Sequence, residues 1–271
     1  MKDEPKTVED MVQYVNEKIV SELAILPRQG NHLVNEKLDF ISTQHPDINK
    51  ALGLPGLPKG RIVEVSGMEA SGKSTFVLHV IAEAQKLGGN CALIDTEHAI
   101  DKNRAQQIGV RFDDLLISQP DNAEQALELL DTLVRSGLFS VVVLDSVAAM
   151  SPQAEVEGEM QDSTIGVLAR LMGKLLRKVA APANKTKTLV LFTNQLRDKI
   201  GGFSPIPMKT TPGGNALKFY ATIRIEMART KNNKSGDKLI STQHKVTIKK
   251  NKIAPPMGTT SVKIAKNGWL I

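Results

Sequence analysis

The sequence predicts an α/β fold: a mostly parallel central sheet covered by helices. Three observations carry the prediction. Short, nearly continuous apolar runs recur along the chain, as strands buried on both faces require. Stretches with helical periodicity fall between them. At one such strand-to-helix junction stands Gly67-Met68-Glu69-Ala70-Ser71-Gly72-Lys73-Ser74, which fits G-x-x-x-x-G-K-[S/T], the phosphate-binding P-loop.

The elements follow in chain order. Val8, Met11, Val12, Val15, Ile19 and Leu23 make one apolar stripe on a helix that Pro27 and Gly30 end. Residues 1–37 are therefore read as an N-terminal helix and linker, set apart from a core over 38–271. The stripe has to be buried, either on its own core or on a neighbouring subunit. A short segment over 31–42 and a turn-rich stretch over 53–60 lead into that core. Strands are expected at 62–66, 90–95, 141–145 and 188–193, with helices at 75–87, 124–136 and 165–180. Beyond Phe219 come further strands at 221–227, 244–251 and 261–264, and a polar, Lys- and Asn-rich turn over 231–238.

Composition narrows the class. The 271 residues are 41% hydrophobic, enough for a real core. No stretch approaches the roughly 18 apolar residues that span a bilayer. Met1-Lys2-Asp3-Glu4 has no apolar run behind it, so no leader is apparent. A lone Cys91, in the apolar run 91–94, reads as a small buried hydrophobe. The expectation is a soluble protein of a reducing, cytoplasmic compartment with no membrane partner. The net charge is +6, but residues 224–271 hold eleven Lys/Arg against two Asp/Glu. That basic end is either a solvated face or a polyanion surface.

In open α/β sheets, ligands bind at the carboxyl ends of the strands. The first strand runs into the P-loop, whose backbone N–H groups and following helix face an anion. Lys73 adds a point charge and Ser74 a hydroxyl for Mg²⁺. The apolar run Val141-Val142-Val143-Leu144 ends in Asp145, the Walker B pattern for the same cation. Glu97, on an extra strand between those two, is suited to orient or deprotonate a water. Gln195 can hydrogen-bond a terminal phosphate. Singly, these residues are equally a helix cap, a surface carboxylate and a strand-end turn; in this order beyond a P-loop they make a nucleotide site.

Residues 196–211 (LRDKIGGFSPIPMKTT) have a composition that no helix or strand suits, and a loop this long in a compact domain is usually functional. Its cations and Phe203 suit a nucleic-acid strand. Residues 155–163 (EVEGEMQDS) form a second, acidic candidate loop. Arg170 and Arg177 follow it, seven apart on one helical face, and taken alone they read as solvated surface.

These stretches, with NALKFYA and KNKIA, resemble the bacterial RecA recombinase family from about residue 38 onward. The resemblance implies a P-loop NTPase with a RecA-like core and an N-terminal helical polymerisation segment. Its activity would be that of an ATP- and Mg²⁺-dependent DNA recombinase. Such proteins polymerise into a helical filament on single-stranded DNA and exchange strands with a homologous duplex. By the same resemblance, Gly67, Glu69, Ser71, Gly72, Lys73, Ser74 and Thr75 surround the phosphates, and Ser74 and Asp145 hold the metal. Glu97, Lys73 and Gln195 are catalytic, with Gln195 the γ-phosphate switch, and Asp101 contacts adenine. Residues 155–165 and 196–215 become DNA loops, with Ile165, Arg170, Arg177, Arg197, Phe203, Gly213, Gly214 and Asn215 touching DNA. Lys250 and Lys252 reach the neighbouring subunit's ATP, and Phe219 lies near that interface.

Three departures from the family stand out. Arg104 replaces a tyrosine that stacks on adenine, a role a planar guanidinium can also fill. The second loop is one residue longer. The chain ends at Ile271, so the family's C-terminal domain is expected to be absent; this, with the divergent N-terminus, points to a phage-encoded or otherwise specialised member. Two other readings share the core: a hexameric helicase-type motor, and a non-enzymatic mediator or annealing module.

Overall fold

A computed structural model describes residues 38–159, 166–198, 209–255 and 258–268. The N-terminal helix expected within 1–37 lies outside them. Eight strands form one sheet in the order β12-β11-β10-β3-β7-β6-β4-β5. They are β3 (Ile62–Gly67), β4 (Cys91–Asp95), β5 (Leu115–Ser118), β6 (Val141–Asp145), β7 (Leu189–Gln195), β10 (Ile223–Ser235), β11 (Lys238–Asn251) and β12 (Thr259–Ala265); two short strands outside it, β1 (Phe40–Ile41) and β2 (Leu57–Pro58), pair with each other. From β10 to β5 every pairing is parallel, while β10-β11 and β11-β12 are antiparallel.

Strand alternation sends successive side chains to opposite faces. On one face Val63, Val65, Leu93, Val143 and Leu191 pack beneath α1 (Pro46–Leu52) and α2 (Lys73–Lys86). On the other, Ile62, Ile94, Leu144 and Phe192 pack beneath α4 (Ala123–Ser136) and α6 (Val167–Thr186). This is why the central strands read as unbroken apolar runs. Between them lie α3 (Lys102–Ile108), capped by Asp101, and α5 (Gln153–Glu157).

Five departures from the sequence reading stand out. The polar turn over 231–238 is not a turn: β10 and β11 run on to Ser235 and from Lys238, leaving a two-residue turn with Gly236 at φ +57°. Strand pairing is a backbone property, so this exposed hairpin needs no apolar side chains. Asn233 Nδ2 donates to Ser241 Oγ (3.0 Å) across it. The helix expected to stop at 180 continues to Thr186, through Pro182. Proline has no N–H to give the carbonyl four residues back; Arg135 Nη2 from α4 supplies that bond to the Lys178 carbonyl (3.0 Å). The described ends of 196–211 pair as two-residue strands, β8 (Arg197–Asp198) with β9 (Lys209–Thr210). Residues 153–157, at the start of the acidic stretch, are helical, with Gln153 Nε2 donating to Glu157 Oε1 (2.7 Å). The fifth departure is in space: the strand between β3 and β6 is β7, and β4 lies beyond β6.

Cys91 is fully buried, and burial pushes its thiol up to about 12. A thiol must ionise to react, so native protein at pH 8 should resist a disulfide reagent that modifies it fully in urea. The unfolded thiol loses its proton near pH 9 and the folded one near 12. Stability should therefore fall as pH rises through that window, read by denaturant titration against Cys91→Ala.

Candidate functional site

The P-loop backbone is pressed against the strands behind it. A Cβ at Gly67 would lie 2.4 Å from the Met227 carbonyl oxygen, and one at Gly72 would lie 2.6 Å from Ile264 Cδ1. Gly72 also has φ +92°, which only glycine adopts readily. Lys73, 8% exposed, folds its ammonium onto the Met68 carbonyl (3.0 Å) and the Gly67 carbonyl (3.4 Å). Burial lowers its pKa, against the pull of Asp145, Glu97 and Glu69. Ser71 Oγ is buried without a hydrogen-bond partner, a cost that an anion in the loop would remove.

The three strand tips beside the loop form one cluster. Asp145 Oδ1 accepts from the Thr193 hydroxyl, and the Ser74 hydroxyl also bonds this carboxylate. Burial raises the Asp145 pKa, with these two bonds opposing. Glu97 Oε1 accepts from Ser146 Oγ (2.6 Å) and from Gln195 Nε2 (3.3 Å). Thr96 fixes the tip of β4 to that of β6 by accepting from the Ser146 N–H (2.9 Å) and donating to the Ser146 carbonyl (2.8 Å). Lys73, Ser74, Glu97, Asp145 and Gln195 all line one cavity of about 480 Å³. Among the described residues, no group of three or more His, Cys, Asp or Glu makes a protein-only metal cage. A Mg²⁺ fits here only if phosphate oxygens complete its shell around Ser74 and Asp145, which is how that ion is usually held.

The cavity extends past Asp101 and Arg104 to Thr242 and Lys266. Asp101 Oδ1 caps α3 by accepting the Arg104 N–H (3.1 Å). The Arg104 guanidinium is bonded to Thr75 Oγ1 (2.9 Å). In this geometry it is tied to the P-loop helix as well as bordering the cavity.

The described DNA-contact candidates do not line the cavity. Arg170, Arg177 and Arg197 are exposed, the first two on α6 and the third on β8. Gly213 and Gly214, at φ +81° and +75°, press the backbone against Val147 and Ala169, where each Cβ would meet carbon at 2.7 Å. Asn215 directly precedes α7 (Ala216–Tyr220), and its Oδ1 accepts from Lys218 Nζ (3.3 Å). Ile165 and Phe203 fall outside the described residues. Lys250 donates to the Lys218 and Phe219 carbonyls (2.7 and 2.9 Å), and Lys252 to the Phe219 carbonyl (3.4 Å). Neither lysine lines the cavity of its own chain, and Phe219 is 72% exposed.

Several residues of the site carried no signal in the sequence reading. Ser146 and Thr193 became visible only when β4, β6 and β7 came together. Asn194 is fully buried and joins three segments: its Nδ2 donates to Glu64 Oε1 (3.3 Å) and to the Pro212 carbonyl (3.1 Å), and its Oδ1 accepts the Gln195 N–H (3.0 Å). Glu64, on β3, is itself fully buried and is held by Arg224 Nε of β10 at 2.5 Å. His244, on β11, donates from Nδ1 to the Ser71 carbonyl (2.8 Å).

A family model described as "RecA N-terminal domain" matches residues 6–268. "Protein RecA" of Legionella pneumophila (strain Corby) is 51% identical over 240 residues, covering 89% of this chain and 69% of that protein. "Protein RecA" of Caulobacter vibrioides (strain NA1000 / CB15N) is 54% identical over 220 residues, 81% of this chain and 62% of that protein. "Protein RecA" of Acidiphilium cryptum (strain JF-5) is 52% identical over 229 residues, 84% and 66%. The chain belongs to the RecA family.

The low-exposure ammonium at Lys73 generates a pH prediction. A bound anion favours its charged form, and that form is lost as pH rises through a folded pKa which burial has lowered. Binding of inorganic triphosphate, followed by calorimetry, should weaken at alkaline pH earlier than an exposed lysine would dictate. Lys73→Arg, which does not titrate there, should flatten that limb.

Proposed function

We propose that this member of the RecA family is a DNA-dependent ATPase and recombinase. It assembles on single-stranded DNA as a helical filament of its own copies, pairs that strand with a homologous duplex and exchanges strands, acting in the cytoplasm. The observation that carries the reading is the Glu97–Gln195 hydrogen bond at the mouth of the P-loop. It joins the residue suited to activate water with the last residue of the strand that runs straight into the 196–215 segment.

In this reading the P-loop amides, Lys73 and the Ser71 hydroxyl bind the phosphates of ATP, and Ser74 and Asp145 hold Mg²⁺. The metal, when bound, draws negative charge from the outer phosphate oxygens. Glu97 orients the attacking water and accepts its proton. Ser146 and Gln195 both bond Oε1 of Glu97, which leaves Oε2 as the acceptor for that proton. Asp101 and Arg104 border the adenine. Gln195 contacts the terminal phosphate, and on doing so exchanges its bond to Glu97 for one to ATP.

The coupling to DNA runs through Asn194. One amide holds the Gln195 N–H and the Pro212 carbonyl, so a shift at the phosphate end is felt within the 209–215 segment, next to Gly213. Gly213, Gly214 and Asn215 contact DNA there, with Arg170, Arg177 and Arg197 neutralising phosphates; Ile165 and Phe203 are assigned to the same DNA contact. Lys250 and Lys252 supply cations to the ATP of the neighbouring subunit. ATP is then bound from both sides of a subunit interface, so its hydrolysis loosens filament and DNA together, as linkage requires. The segment 1–37 is assigned the role of joining copies in the filament.

The deciding experiment is ATP hydrolysis with and without single-stranded DNA. Strong stimulation is expected, with Lys73→Ala lowering turnover by about 100-fold. Turnover indifferent to DNA would sink the coupling, as would a Gln195→Ala variant that keeps full stimulation. A second expectation concerns Ser146. Removing its hydroxyl frees one of two tethers on Glu97, so Ser146→Ala should lower kcat by about tenfold while leaving the KM for ATP unchanged in steady-state assays.

A further inference from the structure

Four carbonyls of the P-loop, those of Gly67, Met68, Ser71 and Gly72, are each held by an identifiable donor. The Gly67 carbonyl accepts the Leu196 N–H (3.1 Å) as well as Lys73. Met68 is bonded by Lys73 and by the Ser71 N–H (3.3 Å), and Gly72 by the Phe76 N–H (2.9 Å). All of those donors are main chain or belong to Lys73. Ser71 differs. Its carbonyl is held by a side chain from a distant strand, His244 Nδ1 at 2.8 Å. His244 is 2% exposed and Ser71 is 1% exposed, so this bond is shielded from water.

The tautomer follows from the partners. A carbonyl only accepts, so Nδ1 carries the hydrogen. The Thr242 hydroxyl lies 2.7 Å from Nε2 and donates to it when the ring is neutral. Burial lowers the His244 pKa, which favours the neutral ring with this single arrangement.

We propose that His244 is a positioning residue of the phosphate site: by holding the Ser71 carbonyl on the strand side, it aims the Gly72 N–H into the loop. The reason is the geometry of the peptide unit. In a planar trans peptide the C=O of one residue and the N–H of the next point in opposite directions. Fixing the Ser71 oxygen against β11 therefore fixes the Gly72 N–H toward the anion cradle. Gly72, at φ +92° with no Cβ, offers little resistance of its own to rotation of this peptide. An external bond supplies what the backbone lacks. Preorganised donors of this kind bind an anion without reorganisation when it arrives.

The inference rests on the reading of the loop as an ATP site, and the test separates the two. Binding of a non-hydrolysable ATP analogue with Mg²⁺ is measured by calorimetry for wild type, Lys73→Ala, His244→Leu and His244→Asn. Asparagine places its Nδ2 near where the ring carried Nδ1, so it can restore the donor. His244→Leu should weaken binding on the order of tenfold, the weight of one buried hydrogen bond, and His244→Asn should recover most of it. If Lys73→Ala loses binding but both His244 variants bind like wild type, the positioning role is wrong and the ATP site stands. Equal weakening in both variants would also overturn it, since restoring the donor then does nothing. If Lys73→Ala binds normally, the ATP reading itself fails. Should His244→Leu not fold, ¹⁵N spectra of the wild-type ring decide: a hydrogen on Nδ1 and none on Nε2 is expected, and the opposite tautomer refutes the proposal.

Discussion

The contact on which the rest depends is the close approach of the 67–74 backbone to β10, β11 and β12. Neither Gly67 nor Gly72 has room for a Cβ, because Met227 and Ile264 stand directly behind them. That approach sets where β3 ends, where α2 begins and which way the loop's amides face. The tips of β4, β6 and β7 are then joined to one another by Thr96, Ser146 and Thr193. The result is that five candidate residues from four strand-end segments line a single cavity. Parallel strands make this possible, since all their carboxyl ends lie on one edge of the sheet.

Much of this was legible in the sequence, and the reason is physical. A sheet covered on both faces writes itself as apolar runs, so Val141–Leu144 and Leu189–Phe192 could be found by composition alone. The P-loop was legible because its glycines answer to backbone geometry. Glu97, Asp145 and Gln195 stood out as polar residues ending apolar runs. Most of what was not legible in the site depends on contacts between segments far apart in the chain. Ser146 looks like any serine until Glu97 lies beside it. Glu64 looks like a surface residue on its strand until Arg224 and Asn194 close over it. Pro182 looks like a helix stop until Arg135 serves the carbonyl it leaves open.

The hairpin of β10 and β11 teaches the complementary lesson. Its outer half exposes both faces, so nothing selects for apolar alternation there, and a periodicity argument finds no strand. Arg104 is the other instructive case. The resemblance assigned it to the base, whereas its guanidinium is bonded to Thr75 on the P-loop helix. A substitution at a binding position can thus acquire a second partner that only three-dimensional proximity reveals.

The bracing of the P-loop by Met227, His244 and Ile264 also bears on how the protein is made. The loop leaves the ribosome early, and its support leaves nearly two hundred residues later. At roughly 5–20 residues per second, that gap is about 10–40 s. For the first part of it β3 lacks both its β7 and its β10 neighbour, and throughout it the loop lacks the Ile264 contact behind Gly72. Chains that have not yet made β10, β11 and β12 therefore lack this bracing of the loop, and gain it only when those strands join the sheet.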